Sequence, residues 1–143
     1  MSSDAAGDSK AAVRAYFDRD VCGYLHAYTP GEGEARGEIF RERRRLVLEL
    51  IREPVGRVLD VGSGPGVFSS ALLERRSKCV VVDLSLGMVS AARDQIAAHP
   101  LARRVHHEAA DVETLPFRGG AFDTALCVGV LGRRSEKRST RSA

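Results

Sequence analysis

Apolar side chains at Val13, Phe17, Val21, Tyr24, Leu25 and Tyr28 recur at three- to four-residue steps, which predicts one amphipathic helix. A proline and two glycines among residues 29–33 favour a loop after it. A second helix is expected over roughly residues 35–52, with Ile39, Phe40, Val47, Leu50 and Ile51 inward and Arg41, Arg44, Arg45 and Arg52 outward. From residue 57 the period changes, and short apolar runs alternate with helical stretches as in parallel βα units. Val58 to Val61 predicts the first strand, and a helix from Pro65 or Gly66 turns Phe68, Leu72 and Leu73 inward. Cys79 to Val82 is a continuous apolar run, as expected of a strand buried on both faces. Ser85 is placed to cap a third helix with Met88, Val89, Ala92 and Ile96 on its inner face, closed by His99 and Pro100. Val105 to Ala109 and Phe122 to Val130 supply the third and fourth strands.

That order predicts an α/β fold: part of a Rossmann-like, doubly wound parallel sheet, strands 3-2-1-4, preceded by helices, with ligands at the carboxyl ends of the strands. Residues 1–8 are expected to be disordered, 9–54 helical, 55–131 the core, and 132–143 a basic disordered tail. The length, 143 residues, suits a single core. The net charge of +3 suggests nucleic acid until its location is considered. Arg133, Arg134, Lys137, Arg138 and Arg141 stand against Glu136 at the end, so the rest of the chain is nearly neutral. A short basic run without interleaved aromatics reads as a solvated end, and nucleic acid is not the expected partner. The chain has no apolar run of membrane-spanning length, and its opening residues lack a signal-peptide pattern; neither a span nor secretion is expected. Three widely spaced cysteines, Cys22, Cys79 and Cys127, without a CxxC motif fit a reducing cytoplasm better than a disulfide or zinc framework.

The chemistry centres on Val58-Leu59-Asp60-Val61-Gly62-Ser63-Gly64-Pro65-Gly66, a strand running into a turn with glycine at every second position. Glycine permits the sharp turn and a close ligand approach. Val67 stands where a dinucleotide fingerprint requires its third glycine, and Pro65 offers no N–H to a pyrophosphate. That weakens an NAD-dependent oxidoreductase reading, and the missing P-loop lysine does the same for nucleoside triphosphates. Asp83 ends the second strand 21 residues after Gly62, where a carboxylate can accept both hydroxyls of an adenosine ribose. This position does not separate NAD from other adenosines. After the third strand, Asp111 can accept from an adenine amino group while the Val112 N–H reads a ring nitrogen.

VLDVGSGPG, VVVDLS, DVETLPF and FDTALCVGVL, over Val58 to Leu131, together resemble the class I S-adenosylmethionine-dependent methyltransferases, particularly the small-molecule group. The resemblance implies that Gly62, Ser63, Gly64 and Gly66 wrap the methionine part of S-adenosyl-L-methionine, with Asp60 supporting the loop. It implies that Asp83 binds the ribose, Leu84 and Met88 flank the adenine, and Asp111 and Val112 read its edge. Tyr24 resembles a lid tyrosine of the group. The implied activity is in-line methyl transfer to a small-molecule acceptor, without a metal.

The family pattern continues past the fourth strand into a helix and three more strands, whereas residues 132–142 contain no apolar side chain. The expectation is therefore a methyltransferase truncated after strand four, with an exposed edge able to pair with another chain. The alternative is a non-catalytic S-adenosylmethionine-binding fragment or partner subunit.

Overall fold

The structure is a computed structural model and describes residues 4–28 and 35–130. The loop expected over 29–33 and the tail expected over 132–143 lie outside the described residues. Three helices, α1 (Asp4–Arg19), α2 (Val21–Tyr28) and α3 (Ala35–Leu50), precede the sheet. Then come β1 (Arg57–Val61), α4 (Val67–Glu74), β2 (Lys78–Asp83), α5 (Leu86–Ala97), β3 (Val105–Ala109) and β4 (Thr124–Cys127). The strands are all parallel, in the expected order β3-β2-β1-β4, and Leu59 of β1 lies between Val80 and Ala125.

Right-handed crossovers carry α4 and α5 over the same sheet face. Beneath α4, Val58, Phe68, Leu72, Cys79 and Leu126 form a core against which Val47, Leu48 and Ile51 also pack. The opposite face, Leu59, Val61 and Val82, is covered by Leu115, Phe117 and Phe122 from the β3–β4 connection. Phe117 and Phe122 meet edge to face with ring centroids 5.1 Å apart. Ser85 caps α5 as expected, its hydroxyl accepting from the Met88 N–H at 3.1 Å, and Met88, Val89, Ala92 and Ile96 are all buried. No helix among the described residues is long and apolar enough to cross a membrane.

Four features differ from the sequence reading. First, α1 begins at Asp4, inside the segment expected to be disordered, because Ala5 and Ala6 are strong helix formers and offset Gly7. Second, the single N-terminal helix is two, broken at Asp20. The Asp20 carboxylate lies over the first turn of α2 against Gly23, where an added Cβ would collide with it. Third, Ile39 and Leu50 of α3 face outward, 69% and 81% exposed. They share a stripe with Leu46, while Val47 and Leu48 lie on the packed one. Arg44, expected outward, is half-buried, and its Nε donates to the Val67 carbonyl at 3.4 Å. Fourth, β4 spans only Thr124–Cys127, because the backbone bends at Asp123 and again at Gly129, where φ is 77°.

Candidate functional site

The glycine turn leaves β1 with φ values of 63°, 53° and 77° at Gly62, Gly64 and Gly66. These lie in the left-handed region that side chains with a Cβ disfavour, so the alternation of glycine is a backbone requirement. Two hydrogen bonds hold the turn: Ser63 N–H donates to the Val82 carbonyl at 3.1 Å, and Gly66 N–H to the Ser63 carbonyl at 3.1 Å. A third comes from Asp83, whose Oδ2 accepts from the Gly64 N–H at 2.9 Å while its Oδ1 accepts from the Ser85 N–H at 2.9 Å. One carboxylate thereby joins the turn after β1 to the turn after β2. Burial pushes the Asp83 carboxyl above its ordinary range, against the lowering effect of those two amides.

Asp60 lies deeper. It is 2% exposed, accepts from Ser69 Oγ at 2.6 Å, and so ties β1 to the first turn of α4 beneath the glycine turn. Burial, and secondarily the charge of Asp83, pushes its carboxyl up to about 6. Gly66 also faces inward: a Cβ there would sit 3.1 Å from Ala92 Cβ and 3.3 Å from Ile96 Cδ1, so its lack of a side chain lets α4 approach α5. Met88 is buried in α5, and Leu84 is half-buried just after Asp83.

Asp111 lies at the end of the neighbouring strand and caps the short helical turn Val112–Thr114. Its Oδ1 accepts from the Glu113 N–H at 3.0 Å and its Oδ2 from Lys10 Nζ at 2.6 Å. The Lys10 hydrogen bond holds the Asp111 carboxyl below the ordinary carboxylate range. Val112 is exposed, and as the first residue of a helical turn its N–H has no acceptor within that turn. Gly62, Ser63, Gly64 and Asp83 thus form one cluster, with Asp111 and Val112 beside it, and Asp60, Gly66 and Met88 in the supporting interior.

Aromatic side chains from the N-terminal helices close over this cluster. The Tyr24 ring lies 3.4 Å from where a Cβ on Gly64 would be. Phe17 meets Tyr24 edge to face, with centroids 5.8 Å apart, and Tyr24 adjoins Tyr28 at 5.4 Å. Tyr28 in turn contacts Phe40 at 4.7 Å and accepts from Arg43 Nη2 at 2.5 Å. Burial pushes the Tyr28 hydroxyl up to about 12. The sequence reading did not anticipate Lys10 or Asp18. Asp18 accepts from Ser85 Oγ at 2.5 Å and from the Gly87 N–H at 3.0 Å, across more than 60 residues of chain. Such long-range pairings leave no periodic trace in a sequence.

A parallel sheet in the order 3-2-1-4, with a glycine turn and two acidic side chains at successive strand ends, defines a Rossmann-like α/β protein. Residues 58–141 match a family model described as a methyltransferase domain, and the chain belongs to that family. The malonyl-[acyl-carrier protein] O-methyltransferase of Salmonella typhimurium is 44% identical over 80 residues, 56% of this chain and 30% of that protein. The ubiquinone/menaquinone biosynthesis C-methyltransferase of Geobacter sulfurreducens is 38% identical over 88 residues, 59% of this chain and 34% of that protein. The chain thus spans about a third of the length of these relatives. In fold it is similar to the magnesium protoporphyrin IX methyltransferase of Synechocystis PCC 6803, solved with bound SAM. The TM-score is 0.71 at 22% identity, over 86% of this chain and 62% of that one. It is also similar to the [4+2]-cyclase SpnF, with a TM-score of 0.67 at 21% identity, over 79% and 47%. Since the same fold occurs in a cyclase, the fold by itself does not fix the reaction.

Proposed function

We propose that this chain binds S-adenosylmethionine and supplies the cofactor-binding part of a methyltransferase acting on a small-molecule acceptor. The observation that carries the reading is the 2.9 Å hydrogen bond from Gly64 N–H to Asp83, which joins the glycine turn to a carboxylate with no lysine or arginine partner among the described residues. Such an acceptor beside a glycine turn fits the hydroxyls of a neutral polyol at one end and a chain lying along bare backbone at the other. Gly62, Ser63 and Gly64 hold the methionine part, Asp83 accepts from the ribose hydroxyls, Leu84 packs beside the base, and Asp111 with Val112 reads its edge. Asp60, Gly66 and Met88 act from beneath, by fixing the turn and the helices that carry it. When bound, the cofactor supplies a methyl group already activated by a sulfonium. The protein's task is then to position the acceptor and exclude water, which suits the Tyr24 ring over the turn. The relatives named for malonyl-[acyl-carrier protein] and for ubiquinone and menaquinone biosynthesis support an organic acceptor, either small or borne on a carrier protein.

Calorimetry with S-adenosylhomocysteine tests the reading, with NAD as control. Micromolar binding is expected, weakened about 100-fold in Asp83→Asn, since two hydrogen bonds to a charged acceptor are weakened. Equal affinity in the variant, or preference for NAD, would reject it.

A second reading is favoured by the β4 edge. Ala125 and Cys127 are exposed there, and Leu50 at the end of α3 lies close by, continuing into an exposed apolar strip with Leu46. On this reading the chain is a partner subunit whose sheet continues into another polypeptide through β4. Sedimentation that stays monomeric, together with methyl transfer by the isolated chain, would count against it.

A further inference from the structure

Helix α1 is fastened to the rim of the site at two points. Near its middle, Lys10 Nζ bridges Asp111 Oδ2 at 2.6 Å and Glu113 Oε2 at 2.5 Å, beyond the end of β3. Near its finish, Asp18 accepts from Ser85 Oγ and the Gly87 N–H, beyond the end of β2. The eight residues between Lys10 and Asp18 rise about 12 Å along a helix. That length covers the interval between the carboxyl ends of β2 and β3, where Asp83 and Asp111 sit. The two fastenings are unequal. Asp18 bonds to a backbone amide and a buried hydroxyl, and the junction with α2 is seated so closely that a Cβ on Gly87 would come within 3.0 Å of Val21 Cγ2. The Lys10 fastening is an ion pair at the rim, its side chains 37%, 24% and 56% exposed, and open to screening by salt.

We propose that α1 is a gate over the nucleoside end of the site, hinged at Asp18 and latched by Lys10 on Asp111 and Glu113. The inference rests on the reading that Asp111 takes the adenine edge, so entry of the base and closure of the latch draw on one carboxylate. Lys10 must leave Asp111 Oδ2, or swing aside with α1, before the base can reach it. The latch therefore sets the rates of cofactor exchange, and ionic strength modulates them.

The test uses the 143-residue chain immobilised for surface plasmon resonance, with S-adenosylhomocysteine as probe. Lys10→Met is expected to raise association and dissociation rates about two- to fivefold, the scale of losing the exposed ion pairs to Asp111 and Glu113. Raising NaCl from about 0.05 to about 0.5 M is expected to accelerate the wild type similarly and to leave Lys10→Met unchanged. Identical rates in the two proteins, or slower association in the variant, would overturn the gate. Amide hydrogen exchange over residues 11–17 of the ligand-free chain gives a readout independent of the cofactor. Faster exchange in Lys10→Met supports the latch even if the probe fails to bind, and unchanged exchange removes it. Failure of Asp83→Asn or Asp111→Asn to weaken the probe rejects the nucleoside reading instead.

Discussion

Asp60 holds a carboxyl group at 2% exposure with a serine hydroxyl as its hydrogen-bond donor, so proximity to Asp83 raises an electrostatic cost. A carboxyl whose pKa rises on folding binds its proton more tightly in the native chain than in the unfolded one. Folding then takes up a proton between the unfolded value of 3.8 and about 6, and this group's contribution to stability declines as pH rises through that window. Asp60→Asn keeps an acceptor for Ser69 and removes the charge. Its stability relative to wild type is expected to improve between about pH 4 and about pH 6, by up to about 3 kcal/mol, and to stay level above. Thermal unfolding of both proteins across that range measures it. The carboxylates of Asp18, Asp111 and Asp123, each held below its ordinary range by hydrogen bonds, contribute in the opposite sense: their stabilisation is lost as pH falls through the acid range. Comparing variant with wild type cancels that background.

At the scale of elements, the contact between α4 and α5 depends on Gly66. Its φ of 77° and the 3.1 Å approach of Ala92 make a methyl group costly twice, through backbone strain and through overpacking. Gly66→Ala is expected to lower unfolding free energy by about 1 to 3 kcal/mol in urea titration. S-adenosylhomocysteine affinity, extrapolated to the folded fraction, is expected to change little, because this glycine faces the helices. The sequence read most clearly where burial was two-sided. Cys79 to Val82 is apolar without a break and Val58 to Val61 is interrupted only by Asp60, as suits strands buried on both faces, and Ser85 precedes α5 as a cap should. It read poorly where helical periodicity ran through a break. Phe17, Val21 and Tyr24 keep their phase across Asp20, so the division of α1 from α2 left no gap in the pattern. On α3, Ile39 and Leu50 are apolar yet exposed, and periodicity alone cannot say which of two apolar stripes has a partner. Of the site, Gly62, Gly64 and Asp83 were legible because their chemistry is local to strand ends. Lys10 was not, for its partner Asp111 lies 101 residues away.

Across the whole molecule, the two sheet faces are protected unequally. Among the described residues, one carries α4, α5 and part of α3, whereas the other is covered by the β3–β4 connection through Leu115, Phe117 and Phe122. Phe122→Ala is expected to cost about 1 to 2 kcal/mol in urea unfolding, below the range for a fully enclosed phenylalanine because its ring is half-buried. The same substitution should raise binding of a hydrophobic dye by exposing Leu59 and Val82. An unchanged unfolding midpoint and dye signal would show that the connection contributes little to covering that face.

The position of β4 also has a consequence for synthesis. β1 lies at the middle of the sheet, and the Arg57 N–H is satisfied by Asp123, 66 residues downstream. On a ribosome adding about 5–20 residues per second, one side of β1 therefore waits roughly 3–13 s for its neighbour to be made. During that interval the nascent chain presents a central strand paired on one side only, so chaperone demand and translation speed bear most directly on the stretch between β1 and β4.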